Sequence, residues 1–452
     1  MARSGLYTGV DIGTDSIKVL VAEYISNEMN IIGVGNAKSD GLKNGIIVDI
    51  EKVAVSLRQA VNIAEERAGI RIDNINVSIP ANQLEIERCQ GMIPLIGESR
   101  EINDGDVLQV VSNAMMRGIA PEREIINVEA TEFTVDGFEG ISDPRGMFGV
   151  RLEVRGLIYS GPKTLVHNIR KVVERAGLLI DNLVLAPLAM SRYILSEGEG
   201  EFGTLLIDFG AGQTTVTGVR DQRIQFSTTS SEGGDYITKD ISMVLNTSLD
   251  EAEELKKNYG EASVERASQD EYFSVNVVGR NEPEQYTEQY LSQVIEARIM
   301  QICEGIRQVL NANSRFDLPG GIILAGGAAA MPGMSDLVSQ VLGYNTRLFI
   351  PSEMGLRNPT FAHVISIVNY IGSRSEIDIL VAQSTNQEQG HNATVDYQYG
   401  NEQQTVQPNV QPVKEENEEV EIQPYVPIGA EKEEENEGIV NRVRNMFGNL
   451  FE

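Results

Sequence analysis

At 452 residues and 49.6 kDa the chain is long enough for two or three packed units of ~100–200 residues each. Its 41% hydrophobic and 23% charged residues suit a globular protein, but 66 Asp+Glu against 37 Lys+Arg leave a formal charge of −29. So acidic a chain is excluded from general binding to nucleic-acid backbones and is repelled as a whole by an anionic lipid surface. Cys89 and Cys303 lie far apart with no CxxC, and His167, His363 and His391 show no ligand spacing. Neither a disulfide framework nor a His-based metal site is predicted. The first residues lead into a short β run holding an Asp rather than a secretory core, and no apolar stretch approaches the ~20 residues that span a bilayer. The expected compartment is the cytoplasm.

From Gly5 to about Gly372, apolar β runs alternate with amphipathic helical patterns, which predicts an α/β fold. The first motif comes at once. Val10-Asp11-Ile12-Gly13-Thr14-Asp15-Ser16-Ile17-Lys18-Val19 is a β run, an Asp-x-Gly turn and a second β run. It is matched by Ile207-Asp208-Phe209-Gly210-Ala211-Gly212-Gln213-Thr214-Thr215-Val216. A turn of small residues lets successive backbone N–H groups converge on a phosphate oxygen. Gly13, Thr14, Asp15, Ser16 and Lys18 are the candidates in the first copy, and Gly210, Ala211, Gly212, Gln213, Thr214 and Thr215 in the second; Gln213 could orient a water, though loop structure is its simpler role. Asp11 and Asp208 are placed to hold Mg²⁺ through water. Either copy alone reads equally as an ordinary Gly-turn hairpin; two matched copies favour phosphate and two related halves.

Between the copies, 84–162 reads as an inserted α+β unit: a helical pattern over Asp104–Arg117 and strands over Ile126–Val135 and Met147–Tyr159. Pro162 suits the first turn of a helix running to Ala176 and closed by Gly177. After the second copy come helices at Gly234–Leu245, Leu249–Tyr259 (with a Ser248…Glu251 capping box) and Glu284–Asn311. Here Gly233, Gly234, Lys239, Glu254 and Lys257 are candidates for reaching a ribose or phosphate; a solvated helix face is the competing reading of the charged ones. Gly320–Met334 (GGIILAGGAAAMPGM) is a strand running into glycines and a helix. Gly326, Gly327 and Ala328 allow a flat base to lie on the backbone, with Met331 beside it.

The texture changes after Ser373. Residues 373–437 hold 15 acids and 3 bases, −12 of the total −29, and their Gln/Asn/Glu/Pro-rich composition predicts a disordered linker. Gly438–Glu452 (GIVNRVRNMFGNLFE) is again ordered in pattern: Ile439, Val440, Val443, Met446, Phe447, Leu450 and Phe451 form one helical stripe, with Arg442 and Arg444 on the other face. That is the pattern of a helix lying in a bilayer interface, or of one docking in a protein groove.

In order, these segments resemble the phosphate-1, phosphate-2 and adenosine motifs of the actin/Hsp70/sugar-kinase superfamily. Leu183–Leu195 and Pro359–Ile371 resemble its two connecting helices. Within it the chain is most similar to the FtsA family of actin-like bacterial cell-division proteins. The resemblance implies a two-lobed actin-like ATPase fold with subdomain 1A in 1–83 and 163–204, an inserted subdomain 1C in 84–162, 2A in 205–233, 2B in 234–311, and 2A with a return to 1A in 312–372. The linker, 373–437, and a membrane-targeting amphipathic helix, 438–452, follow. It further implies ATP and Mg²⁺ as ligands, self-assembly into an actin-like filament, and location at the cytoplasmic face of the membrane at the septum. Subdomain 2B would receive the C-terminal peptide of FtsZ, with Arg298 and Arg307 as candidate contacts, and 1C would meet later division proteins. One departure matters: where Hsp70-like and MreB-like relatives carry a water-positioning Glu before the Pro of the first connecting helix, this chain has Ala186 before Pro187. Hydrolysis is therefore expected to be slow or absent, and no catalytic residue is assigned. A small-molecule kinase of the same superfamily and a PilM-like pilus-assembly scaffold are the alternatives.

Overall fold

The structure, a computed structural model, describes residues 5–25, 28–95, 99–116 and 119–385. The expected membrane helix, Gly438–Glu452, and the linker from 386 onward lie outside the described residues. Two five-stranded sheets organise the rest. In the first, the order is Leu179–Leu185, Asn74–Ile79, Gly5–Ile12, Ser16–Ile25, Glu28–Lys38. In the second it is Arg223–Ser230, Thr214–Arg220, Thr204–Phe209, Ile322–Ala325, Thr346–Leu348. Each is an antiparallel three-strand meander extended by two parallel strands. The weak sequence repeat is thus a repeat of topology, and the fold is the actin-like one. Asp11 pairs with Lys18 across the first hairpin and Asp208 with Thr215 across the second, so each Asp sits at a turn mouth.

Two helices lie between the sheets. Ala186–Ile194 follows directly on the strand Leu179–Leu185, so the expected first connecting helix begins three residues later than its pattern, its first residues being strand. The second, Ala362–Ser373, is entered through a 3-10 turn at Pro359–Phe361. It is among the most apolar helices of the chain, with Val364, Ile365, Ile367, Val368 and Ile371 all buried. A helix buried on most sides belongs in the middle of a fold.

The insertion forms its own sheet, ordered Phe138–Ile141, Arg123–Val135, Arg151–Pro162, Glu85–Pro94, all antiparallel. Leu152, Val154, Gly156 and Ile158 alternate inward as period-2 patterning requires. The helix Asp104–Met115 covers that face with Val107, Val110, Val111, Ala114 and Met115, its start fixed by an Asn103/Asp106 capping box.

Three expectations need correction. The helix drawn from Glu284 starts at Glu288: Glu284–Thr287 is a strand pairing with Tyr272–Val275, and the Thr287 hydroxyl caps the helix that follows. The Ser248…Glu251 box is half made, because the Glu251 carboxylate is taken by Thr247 and Asn276. The disordered linker does not begin at 373. Residues 376–385 are helical, started by a reciprocal Ser375–Asp378 cap, and Leu380 and Val381 are buried in the core of the insertion beside Ile377. Arg145, from the insertion, reaches Glu376 at 3.5 Å. Truncating a buried Leu costs about 2–5 kcal/mol. Leu380→Ala is therefore expected to speed hydrogen exchange in the strands Glu85–Pro94 and Arg151–Pro162 about 30-fold or more, and unchanged exchange there would mean the helix is no part of that core.

Candidate functional site

The two Asp-bearing hairpins face one another across a cleft of about 490 Å³. Of the candidates read from sequence, Asp11, Gly13, Thr14, Asp15, Ser16, Lys18, Asp208, Gly210, Gly212, Thr215, Gly234, Lys257, Gly326, Gly327, Ala328 and Met331 all line it. The two turns approach so closely that a Cβ on Gly212 would meet Thr14 Oγ1 at 2.5 Å. Glycine at 212 is thus a requirement of contact between the lobes.

Four candidates do not line the cleft. Thr214 is buried and donates to the Glu232 carbonyl at 2.7 Å, holding the turn from behind. Gly233 caps the helix Gly234–Leu245 and packs on the second turn. Lys239 lies over the Tyr236 ring, 4.4 Å from its centroid, and Glu254 is exposed outside the lining. The same helix, Leu249–Tyr259, turns Glu253 and Lys256 into the cleft instead of Glu254. Lys256 Nζ donates to the Gly234 carbonyl (3.0 Å) and Thr238 Oγ1 (2.8 Å) and pairs with Glu253. Asp15 is exposed at the mouth rather than paired with Lys18, whose Nζ donates to Ser16 Oγ at 2.8 Å. Burial first, and then the charges of Glu253 and Asp15 against the opposing pull of Lys256, raise the Asp235 carboxyl above its ordinary range.

The partner-peptide candidates fare differently. Arg298 is 6% exposed, with Nε and Nη2 on the Asp240 carboxylate at 2.5 and 2.8 Å, so it is an internal strut and not open to a peptide. A buried guanidinium needs such a partner, because an unpaired one carries its full desolvation cost. Arg307 is half-exposed, bonded to Glu304 and to the Val341 carbonyl.

The residue that sequence reading missed is His363. It stands in the first turn of the second connecting helix, with Nε2 2.8 Å from Asp208 Oδ2 and Nδ1 3.6 Å from Asp11 Oδ1. Burial opposes its charge, but Asp208 and then Asp11 outweigh it, raising the imidazole to about 9. No periodicity marks this histidine; only the convergence of three distant segments does. Asp208 Oδ1 is buried with no donor, and Asp11 Oδ1 accepts from Ser78 at 3.3 Å. Two carboxylates at the mouths of phosphate-type turns, one with a free buried oxygen, are the hard donor set that Mg²⁺ takes. Ala186, the first residue of its helix, also lines the cleft and brings no carboxylate there.

Residues 205–366 match the family profile described as cell division protein FtsA, 81–160 the SHS2 domain inserted in FtsA, and 377–452 the FtsA C-terminal region. The chain is 55% identical over 377 residues to the cell division protein FtsA of Enterococcus hirae, covering 83% of this chain and 85% of that one. It is 40% identical over 370 residues to that of Bacillus subtilis, covering 82% and 84%. Among solved structures it superposes on a PilM–PilN type IV pilus biogenesis complex with a TM-score of 0.55 at 16% identity, over 82% of this chain and 99% of that one. With MreB5 of Spiroplasma citri bound to ADP the TM-score is 0.50 at 12% identity, over 85% and 98%. At those identities the likeness is one of fold.

The bridge has a direct check. Without the imidazole, Asp11 and Asp208 lose the cation between them, a break worth about 3–5 kcal/mol when buried. His363→Ala is expected to lower the thermal midpoint by several degrees and His363→Gln, which keeps one donor, by less. Equal midpoints for all three proteins would remove the bridge from the fold's support.

Proposed function

The chain belongs to the FtsA family of cell-division proteins, and from that premise we propose that it is an ATP-loaded, actin-like scaffold that polymerises and ties FtsZ to the cytoplasmic face of the membrane at the division septum. The observation that carries the nucleotide part is the pair of Asp-Gly turns brought face to face in one cleft and joined through His363. The turns at Gly13–Ser16 and Gly210–Gln213 would receive the phosphates on backbone N–H groups, with Lys18 adding charge. Gly326–Ala328 and Met331 would receive the adenosine. Asp11 and Asp208 would hold Mg²⁺ through water, and the ion would supply charge neutralisation for the phosphates.

The cleft favours holding over turnover. Alanine at 186 neither orients nor deprotonates a water, so this site keeps its ligand long enough for ATP to act as part of the structure. The FtsZ peptide has Arg307, on the outer face of the helix Glu288–Ala312, as its remaining candidate cation. Filament contacts would run through subdomains 1C and 2B.

Membrane attachment rests on the terminal stripe of Ile439, Val440, Val443, Met446, Phe447, Leu450 and Phe451 opposite Arg442 and Arg444. One such helix binds weakly, but subunits in a filament present many at a shared effective concentration. Anchoring would therefore follow polymer state. Deleting 438–452 is expected to leave ATP affinity intact and to abolish co-sedimentation with vesicles of phosphatidylglycerol and phosphatidylethanolamine. Continued sedimentation of the truncated protein would disprove the anchor.

A further inference from the structure

A third element reaches the phosphate end of the cleft. After the strand Glu28–Lys38 the chain forms a small hairpin, Leu42–Lys43 paired with Ile46–Ile47. Its tip, Asn44-Gly45, has φ of 50° and 73°, the positive values of a type I′ turn. Gly45 N donates to Thr14 Oγ1 at 3.1 Å, and a Cβ on Gly45 would overlap Gln213 Oε1 from the opposite lobe. One hairpin tip thus touches both phosphate turns.

Gln213 itself lines the cleft, and its Oε1 is buried with no hydrogen-bond donor. The turn it belongs to is closed by main chain, Gly210 N to Gln213 O at 2.9 Å, so the amide is not needed for the shape of the loop. An enclosed acceptor left unmade costs about 1–3 kcal/mol, a cost that a working site recovers when its ligand arrives. Among the described residues, Asp208 Oδ1 is the other such acceptor in the cleft lining, and that oxygen is one the proposed Mg²⁺ would take. The one at Gln213 is not.

Resting on the nucleotide reading above, we propose that Gln213 Oε1 orients the water that attacks the terminal phosphate of bound ATP, with the Gly45 tip holding the amide in place. It does so where Ala186 leaves the usual carboxylate position empty of function. The water oxygen forms a bond to the terminal phosphorus as the bond from that phosphorus to the bridging oxygen breaks, its electron pair leaving with ADP. Gln213 accepts a hydrogen bond from the water and keeps no proton; the proton passes to the departing inorganic phosphate. An amide that aligns without accepting a proton gives slow turnover, consistent with a scaffold that resets its nucleotide rarely.

The test compares the full chain with Gln213→Ala and Gln213→Glu, measuring affinity for a fluorescent ATP analogue, affinity for ADP with aluminium fluoride, and phosphate release. Aluminium fluoride fills the place of the transferring phosphoryl group and recruits the attacking water, so it reports on that water without turnover. Gln213→Ala is expected to keep ATP affinity within about threefold, to weaken the aluminium fluoride complex at least tenfold, and to slow phosphate release at least tenfold. Gln213→Glu, which retains an acceptor, is expected to recover most of both losses. Gly45→Ala is expected to follow Gln213→Ala. Equal weakening of ATP and aluminium fluoride complexes would assign Gln213 to loop shape and overturn the proposal. So would an unchanged aluminium fluoride affinity, or failure of the Glu variant to recover it. An unaltered protein that binds neither ligand would overturn the nucleotide reading itself.

Discussion

The cleft turns on one partly buried imidazole between two carboxylates. Asp11 and Asp208 belong to different sheets, and each ends the first strand of its own meander. Like charges converging on one cleft repel, and burial makes the repulsion stronger. His363 answers both by lying between them, 2.8 Å from one and 3.6 Å from the other. Because it is carried by the apolar helix Ala362–Ser373, packed under the first sheet, its position is set by the hydrophobic core and not by the cleft. The electrostatic demands of the site and the packing of the lobes are thereby met by the same helix.

The first connecting helix makes a second link. At one end Ala186, Pro187 and Met190 line the cleft; near the other, Arg192 bonds Glu129 of the inserted subdomain, whose carboxylate also accepts from Tyr159 at 2.8 Å. Arg223, on the edge strand of the second sheet, donates to the Thr131 carbonyl of the same subdomain at 3.1 Å. The chain leaving the second connecting helix then turns at Arg374 and lays residues 376–385 into the insertion's core. The inserted subdomain is therefore gripped by both lobes and by the segment that leads toward the C-terminus.

How far the sequence disclosed this depends on the range of the interaction. The two Asp-x-Gly hairpins were legible because a strand, a small-residue turn and a strand are local, and their duplication raised each above chance. The strand Glu284–Thr287 was not, because its pairing with Tyr272–Val275 is decided outside its own window and its polar residues fit the start of a helix equally well. From sequence Arg298 is a candidate contact for a partner peptide; the group that takes it inside the fold, Asp240, is 58 residues away. His363 and Asp208 are separated by 155 residues, and no spacing rule joins them. The segment 376–385 shows a different failure. Ile377, Leu380 and Val381 have the i, i+3, i+4 spacing of a buried face, but the polar composition of the longer window concealed three apolar residues.

The geometry also makes coherent the proposed nucleotide site, with both Asp-Gly turns lining the cleft and no carboxylate at 186. A ligand held equally in ground and transition states lowers its own dissociation constant without speeding chemistry. In a cleft whose two walls belong to separate sheets, that binding energy goes into fixing one wall against the other. A ligand at 1,000 times its dissociation constant that binds only when both walls are in place favours that arrangement by about 4 kcal/mol. In the filament proposed above, each subunit needs a fixed angle between its lobes, because any variation there accumulates along the polymer. Thr14 against Gly212 and His363 between its two aspartates are contacts that hold one wall against the other. A carboxylate at 186 would speed turnover beyond what the Gln213 amide proposed above supplies, and each turnover would release the angle that the proposed assembly requires.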